Sequence, residues 1–227
     1  MKSNVRQFAI VAMTLATVWP SVTTAGSLAG RTRLEIGAGW RHHPEQTARV
    51  FYVDDQRIVT ATEGAVGRLG LSYWSTEELA FAVDYTLHDV EVDNRIDSYG
   101  YSYDHASIVH SLMFGMRLYW PQSRPYAAMR PYFSAGAGPF FGTSQYWFDD
   151  ECDCDRYGFA SHMVVAGARL GGGIDFLMGR NFMFGFNGGY NFVEDFSRPI
   201  GGRYDYSGSD FGMSVSFLFG GRRIRRL

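Results

Sequence analysis

Between Asn181 and Val193 the side chains alternate with a period of two. Phe182, Phe184, Phe186, Tyr190 and Phe192 share one parity, and Asn181, Gly185, Asn187, Gly189 and Asn191 share the other. Successive side chains of a β-strand point to opposite faces, so this segment is a strand with one aromatic face and one small, polar face. Three other stretches obey the same rule. Phe211, Met213, Val215, Phe217 and Phe219 oppose Asp210, Gly212, Ser214 and Ser216. Leu79, Phe81, Val83, Tyr85 and Leu87 oppose Ala80, Ala82, Asp84, Thr86 and His88. Ala106, Ile108, Leu112, Phe114, Met116, Leu118 and Trp120 oppose Ser107, Val109, Ser111, Met113, Gly115 and Arg117.

Four weaker alternations, over 31–43, 63–75, 130–148 and 160–178, bring the count of strands to eight. The third contains Pro139 within Gly136-Ala-Gly-Pro-Phe-Phe-Gly142. Proline cannot donate to a ladder, so a bulge or register shift is expected there. Short links after the second, fourth and sixth strands (75–78, 121–129 and 178–181) alternate with longer or more polar ones (44–62, 93–104, 149–159 and 197–209). An even number of long strands joined by alternating short and long links is the pattern of an up-and-down barrel that crosses a membrane.

Charge decides which face meets what. A soluble barrel would turn its apolar face inward and its polar face to water. Here the small, polar face carries Arg33, Glu35, Arg41, Arg68, Asp84, His88, Arg117, Arg169 and Asp175, and the other face has almost no charge along the central strand segments. An Arg facing lipid at mid-depth costs about 2–4 kcal/mol. In water, conversely, the aromatic face would be an exposed patch far larger than monomers carry. The apolar face is therefore expected to face lipid and the charged face the lumen. Aromatic content of 16% with 27 glycines and only 7 prolines suits β structure. A net charge of −2 provides no global field for nucleic acid.

The N-terminus reads as an export signal. Lys2 and Arg6 precede the apolar run from Phe8 to Val18, and small residues follow up to Ala25. The run is too short to span a bilayer comfortably, and the pattern is that of a cleaved secretory signal peptide over residues 1–25. The barrel is then assigned to 26–220 and a basic tail, with Arg222, Arg223, Arg225 and Arg226, to 221–227. A solvated tail is expected; contact with an anionic surface is the alternative.

With its eight alternating strands, Pro131-Tyr-Phe-Ser-Ala-Gly-Ala-Gly138 in the fifth and the aromatic final strand Gly212-Met-Ser-Val-Ser-Phe-Leu-Phe219, the chain resembles the OmpA-like and OmpX-type small outer-membrane barrels. The resemblance implies the Gram-negative outer membrane, loops facing the exterior, a monomer surrounded by lipid and lipopolysaccharide, and insertion by the barrel-assembly machinery. It implies no cofactor and no catalytic, cofactor-binding or metal site. The peptidoglycan-binding domain of full-length OmpA-type proteins has no counterpart here, and the tail after Phe219 departs from members that stop at the terminal aromatic.

An eight-stranded barrel is just wide enough for its own side chains to fill it. The nine inward charges are therefore expected to pair into a structural plug; a gated pore whose charges set selectivity is the alternative. His105 and Ser107 have the His-x-Ser spacing found in lipid A deacylases, with Asp104 adjacent. The rest of that signature is missing, so an enzyme is not expected. Cys152 and Cys154, in an acidic link, are read as a local disulfide or as part of a solvated loop, with a divalent-ion site as the sharper option. Tyr99, Tyr101, Tyr103, Tyr146, Trp147, Tyr157, Tyr204 and Tyr206 are read as an interfacial girdle. The expected function is a structural or surface-interaction role in the outer membrane, with a small channel as the alternative.

Overall fold

The computed structural model describes residues 27–43, 63–96, 102–121, 128–149, 157–201 and 203–220. The signal segment, the tail, Tyr99, Tyr101, Cys152 and Cys154 lie outside the described residues. Eight antiparallel strands, β1 (Arg31–His42), β2 (Glu63–Trp74), β3 (Leu79–Ile96), β4 (Ser102–Tyr119), β5 (Met129–Asp149), β6 (Tyr157–Met178), β7 (Phe182–Val193) and β8 (Gly208–Gly220), close into an up-and-down barrel. Each strand pairs with its sequence neighbours, and β8 closes on β1 from Arg31↔Gly220 to His42↔Ser209. Closure leaves no open sheet edge through the body of the barrel, which is what a strand protein needs to cross lipid with its backbone satisfied. Among the described residues no helix is long and apolar enough to cross a membrane.

The parity read from the sequence sets the two faces. Leu34, Ile36, Trp40, Phe81, Phe114, Phe133, Leu170, Phe192, Phe211 and Val215 point outward, with Ile36 64% and Phe133 65% exposed. Arg33, Glu35, Arg41, His88, Arg117 and Asp175 point inward and are buried. The inversion relative to a soluble protein is complete over the barrel body, and it makes the outer wall a hydrocarbon-facing surface.

Three expectations need correction. The register on either side of Pro139 does not shift. Its ladder to β6 runs unbroken, and pairing to β4 lapses only between Ser111↔Phe140 and Phe114↔Ala137 before resuming in the same frame. At that point the backbones approach closely: a Cβ added to Gly138 would lie 2.0 Å from the Leu112 carbonyl oxygen. The actual register shift is at Leu87/Asp89, where β3 carries His88 as an extra residue opposite β4. Second, the described ends of the expected polar links over 93–104 and 149–159 are strand. β3 and β4 pair out to Ile96↔Ser102, and β5 and β6 out to Phe148↔Tyr157. These four strands therefore rise above the other four on one side. Third, Tyr206 in the link after β7 is buried rather than part of an interfacial girdle, as its contacts show below.

The end bearing the short connections, here the turn end, carries 75–78, the link before Met129, and the turn at Gly179, whose φ of 81° only glycine adopts at no steric cost. The opposite end is the loop end.

Candidate functional site

The site is the lumen, and it is filled in four tiers. At the turn end Leu28, Trp74, Ala80, Tyr119, Tyr132, Leu177, Met183 and Leu218 form an apolar base. Leu28, which precedes β1, is fully buried in it. The segment is tied to the β2–β3 turn. Glu77 accepts from the backbone N–H groups of Leu28 and Ala29, both at 3.2 Å, and from the Ser27 hydroxyl. Burial of the Glu77 carboxyl works against ionisation, but these donors and nearby Arg130 outweigh it and hold its pKa below the ordinary value. The sequence reading missed this base. Leu28 stands alone among small residues, so no periodicity marked it.

Above the base lies the first charged tier. Arg33 donates to Asp175, with Nη1 2.6 Å from Oδ2, and also pairs with Glu35. Arg117 donates to the same Glu35 (2.6 Å) and to Asp84 (3.0 Å). Tyr119 gives its hydroxyl proton to Asp175 at 2.8 Å, and Ser216 accepts from Arg33 Nε at 2.7 Å. The Arg117 guanidinium also sits 5.6 Å from the centre of the Tyr132 ring. Two arginines thus share three carboxylates, which satisfies buried charge at both signs.

A second tier centres on Asp210. Its carboxylate accepts from Arg68 (3.2 Å), Arg169 and Asn191 (2.6 Å), while Arg68 also reaches the Asn187 amide oxygen. Between the two tiers is a cavity of about 30 Å³, touched by Arg68, Asp84, Arg117, Tyr132, Arg169 and Asn191. A single water needs about 10–15 Å³, so this is room for a pair of waters rather than a solute.

The nine charges named from sequence are therefore not one network. Arg33, Glu35, Asp84, Arg117 and Asp175 form one group, and Arg68 and Arg169 meet at Asp210 in another. Arg41 meets His88 as well. Arg41 Nη1 contacts His88 Nδ1, its Nη2 donates to the Tyr206 carbonyl, and His88 Nε2 lies 2.7 Å from Ser111 Oγ. The pair is also closed in by the Phe140 ring, stacked on His88 at 4.9 Å.

The top tier comes from the β7–β8 link. Phe196, Ile200 and Tyr206 are buried and pack on Val109, Met113, Phe140 and Val193. The link holds itself in a small hairpin. Phe196 N–H donates to the Tyr204 carbonyl (2.9 Å), Ile200 and Arg203 exchange backbone bonds (2.8 and 3.0 Å), and the Tyr206 hydroxyl donates to the Ile200 carbonyl at 2.6 Å. Tyr206 was expected in an interfacial girdle. It is instead a plug residue, because its ring finds Phe196 and His43 edge-on, each at 5.7 Å, inside the mouth of the barrel. Burial, with the positive charges of Arg41 and Arg203 nearby, pushes the His43 imidazole down to about 3. Of the His-x-Ser pair, Ser107 is buried in the lumen wall; nothing is described of the His105 side chain.

Fold and lumen together define a class: closed eight-stranded up-and-down barrels with an apolar outer wall and a charged, filled interior. No protein-family model and no curated protein matches the chain. Among solved structures it is similar to the outer membrane protein OprG of Pseudomonas aeruginosa, with a TM-score of 0.51 at 13% identity, covering 86% of this chain and 99% of that one. It is also similar to the N-terminal barrel domain of OprF from the same organism (TM-score 0.44, 14% identity, 84% and 98% covered). A further match is Ail, the attachment invasion locus protein of Yersinia pestis (TM-score 0.44, 13% identity, 84% and 99% covered). At these identities the likeness is one of fold.

Proposed function

We propose that the protein is a monomeric outer-membrane barrel whose sealed lumen serves structure, and whose working surfaces are its lipid-facing wall and its exterior loops. The observation that carries this reading is the continuous filling of the lumen, from Leu28 and Trp74 at one end to Ile200 and Tyr206 at the other. A water-filled porin lumen is polar and open; this one is capped by apolar side chains at both ends, with paired charges between. The tall β3–β6 side and the acidic links beyond it are the parts available to lipopolysaccharide or to a second cell surface.

The test joins two measurements on the purified chain. Heated and unheated samples should migrate differently on gel electrophoresis, as a barrel that resists detergent does. Reconstituted in planar bilayers, the same sample should show no steady conductance above the bare membrane. Stable unitary currents would replace this reading with that of a small channel.

A further inference from the structure

The arginines inside the barrel body each reach an acceptor. Arg33, Arg68, Arg117 and Arg169 bond a carboxylate, and Arg41 bonds the Tyr206 carbonyl. Arg203, in the β7–β8 link, breaks the pattern. It is only 8% exposed, and its Nη1 is sealed from solvent with no hydrogen-bond partner among the described residues. A buried guanidinium nitrogen without an acceptor is costly, because it has left water and gained no bond in exchange.

The link holds this side chain in a defined place. Ile200 and Arg203 exchange backbone bonds across a tight turn that includes Gly201 at a φ of 52°, and the Tyr206 hydroxyl ties Ile200 to the stem. Arg203 thus sits at the tip of the hairpin that closes the loop-end mouth. Its charge bears on the His43 imidazole together with that of Arg41, while Asp205 acts there in the opposite sense. Asp205 turns Oδ1 to the Ser207 N–H at 2.6 Å. Deeper in the lumen the charges balance, since Arg33, Arg68, Arg117 and Arg169 meet Glu35, Asp84, Asp175 and Asp210. Around His43 two arginines face one carboxylate. The excess of positive charge is confined to the mouth.

We propose that the loop-end mouth is an oxyanion site, in which Arg203 takes a small soluble phosphate-type anion and Arg41 supplies a second charge beside it. The planar guanidinium fork matches two oxygens of such an anion at once. The occupant is soluble rather than a lipid headgroup because the cluster faces the inside of the mouth. His43 lies edge-on to Tyr206 there, whereas the acyl chains of a lipid would lie on the outer wall. The site goes beyond the structural role proposed above, and it gives the plug a clasp. An anion that binds the docked link and not the undocked one stabilises the docked form by mass action.

The test follows hydrogen exchange of the full purified chain in a neutral detergent, with inorganic phosphate as the probe. For a site half-filled at about 1 mM, about 10 mM phosphate should slow exchange at Phe196, Ile200 and Arg203 about tenfold. The strand amides of β7 and β8 should not respond, and sodium chloride of equal ionic strength should give about twofold or less. Arg203→Gln should abolish the phosphate response. Arg198→Gln, at an exposed position of the same link, should keep it whole. Heat-dependent mobility of each variant reports that the barrel is folded; its failure in wild type would sink the barrel reading rather than the anion site. Absence of a phosphate response in wild type overturns the proposal, and so does a response spread evenly over β7 and β8, which needs no variant to read. A response that survives Arg203→Gln or is lost in Arg198→Gln overturns it as well. Protection by dimyristoylphosphatidic acid but not by inorganic phosphate would assign the arginine to a lipid headgroup and overturn the soluble-anion site.

Discussion

Arg33 on β1 reaches Asp175 on β6 across the lumen, Nη1 to Oδ2 at 2.6 Å, with neither side chain exposed to solvent. The two strands are not ladder neighbours, since β7 and β8 stand between them. The pair therefore ties together parts of the wall that backbone bonds do not join directly. Asp175→Ala would leave Arg33 to share Glu35 with Arg117, and would strip Tyr119 of its acceptor. Removing one partner of a buried pair typically costs about 3–5 kcal/mol. Urea unfolding in lipid vesicles should show a loss of that order. Asp175→Ala combined with Arg33→Met should lose less than the sum of the two single changes.

How much of this was legible beforehand follows from what alternation reports. Parity along a strand says which face a residue joins, so Arg33 and Asp175 could both be assigned to the lumen from sequence. It does not say at what height on another strand the partner stands, because that depends on register and on how the closing seam staggers. Asp210 sat on the polar parity of the last strand, yet its role as the shared acceptor of Arg68 and Arg169 required β2, β6 and β8 to be placed on one circle. The shift at His88 was equally hidden, for Leu87, His88 and Asp89 include neither glycine nor proline. Pro139 advertised an irregularity and produced only a lapse in one ladder. Phe196, Ile200 and Tyr206 lie too far apart in an irregular link for any period to collect them into a plug.

The lipid-facing wall provides a second measurable consequence. Leu170 points outward in the middle of β6 and is 57% exposed, with only apolar neighbours along its face. Leu170→Arg should destabilise the barrel by about 2–4 kcal/mol in vesicles, while His42→Arg, at the loop-end border of the same wall, should cost no more than about 1 kcal/mol. Parallel urea titrations of the two variants check the gradient. Equal costs would mean that the wall does not span hydrocarbon.

Glu77 should govern the N-terminal latch. A carboxylate accepting backbone N–H groups makes stronger bonds than a neutral amide does. Glu77→Gln should therefore speed hydrogen exchange at Leu28 and Ala29 by about fivefold, since charged acceptors exceed neutral ones by about 1 kcal/mol. The pKa of Glu77 in the folded chain lies below its unfolded value. Its contribution is then complete above the unfolded carboxylate pKa of about 4.3 and is lost as pH falls through the folded one. Protection of the two amides in wild type, taken relative to Glu77→Gln at each pH, should converge on the variant's at the acid end.

The plug at the loop end should respond to acid through His43. Its imidazole is buried against the Tyr206 ring, with Arg41 and Arg203 as positive neighbours and Asp205 as the negative one, and its pKa in the folded state is about 3. An unfolded or undocked histidine titrates near 6.5. Between these values the undocked form binds more protons than the docked one, so docking is favoured above about pH 6.5 and weakens steadily as pH falls toward 3. Burial disfavours the charged ring, and protonation would also place a third cation beside two arginines, so the docked form resists it. The β7–β8 link should accordingly lose hydrogen-exchange protection at Phe196, Ile200 and Arg203 as pH is lowered through that window. The strand amides of β7 and β8 should hold. His43→Phe keeps an aromatic ring for Tyr206 but cannot titrate, and it should flatten the pH dependence of these three amides. A link that opens equally in wild type and His43→Phe would show that another group controls the plug.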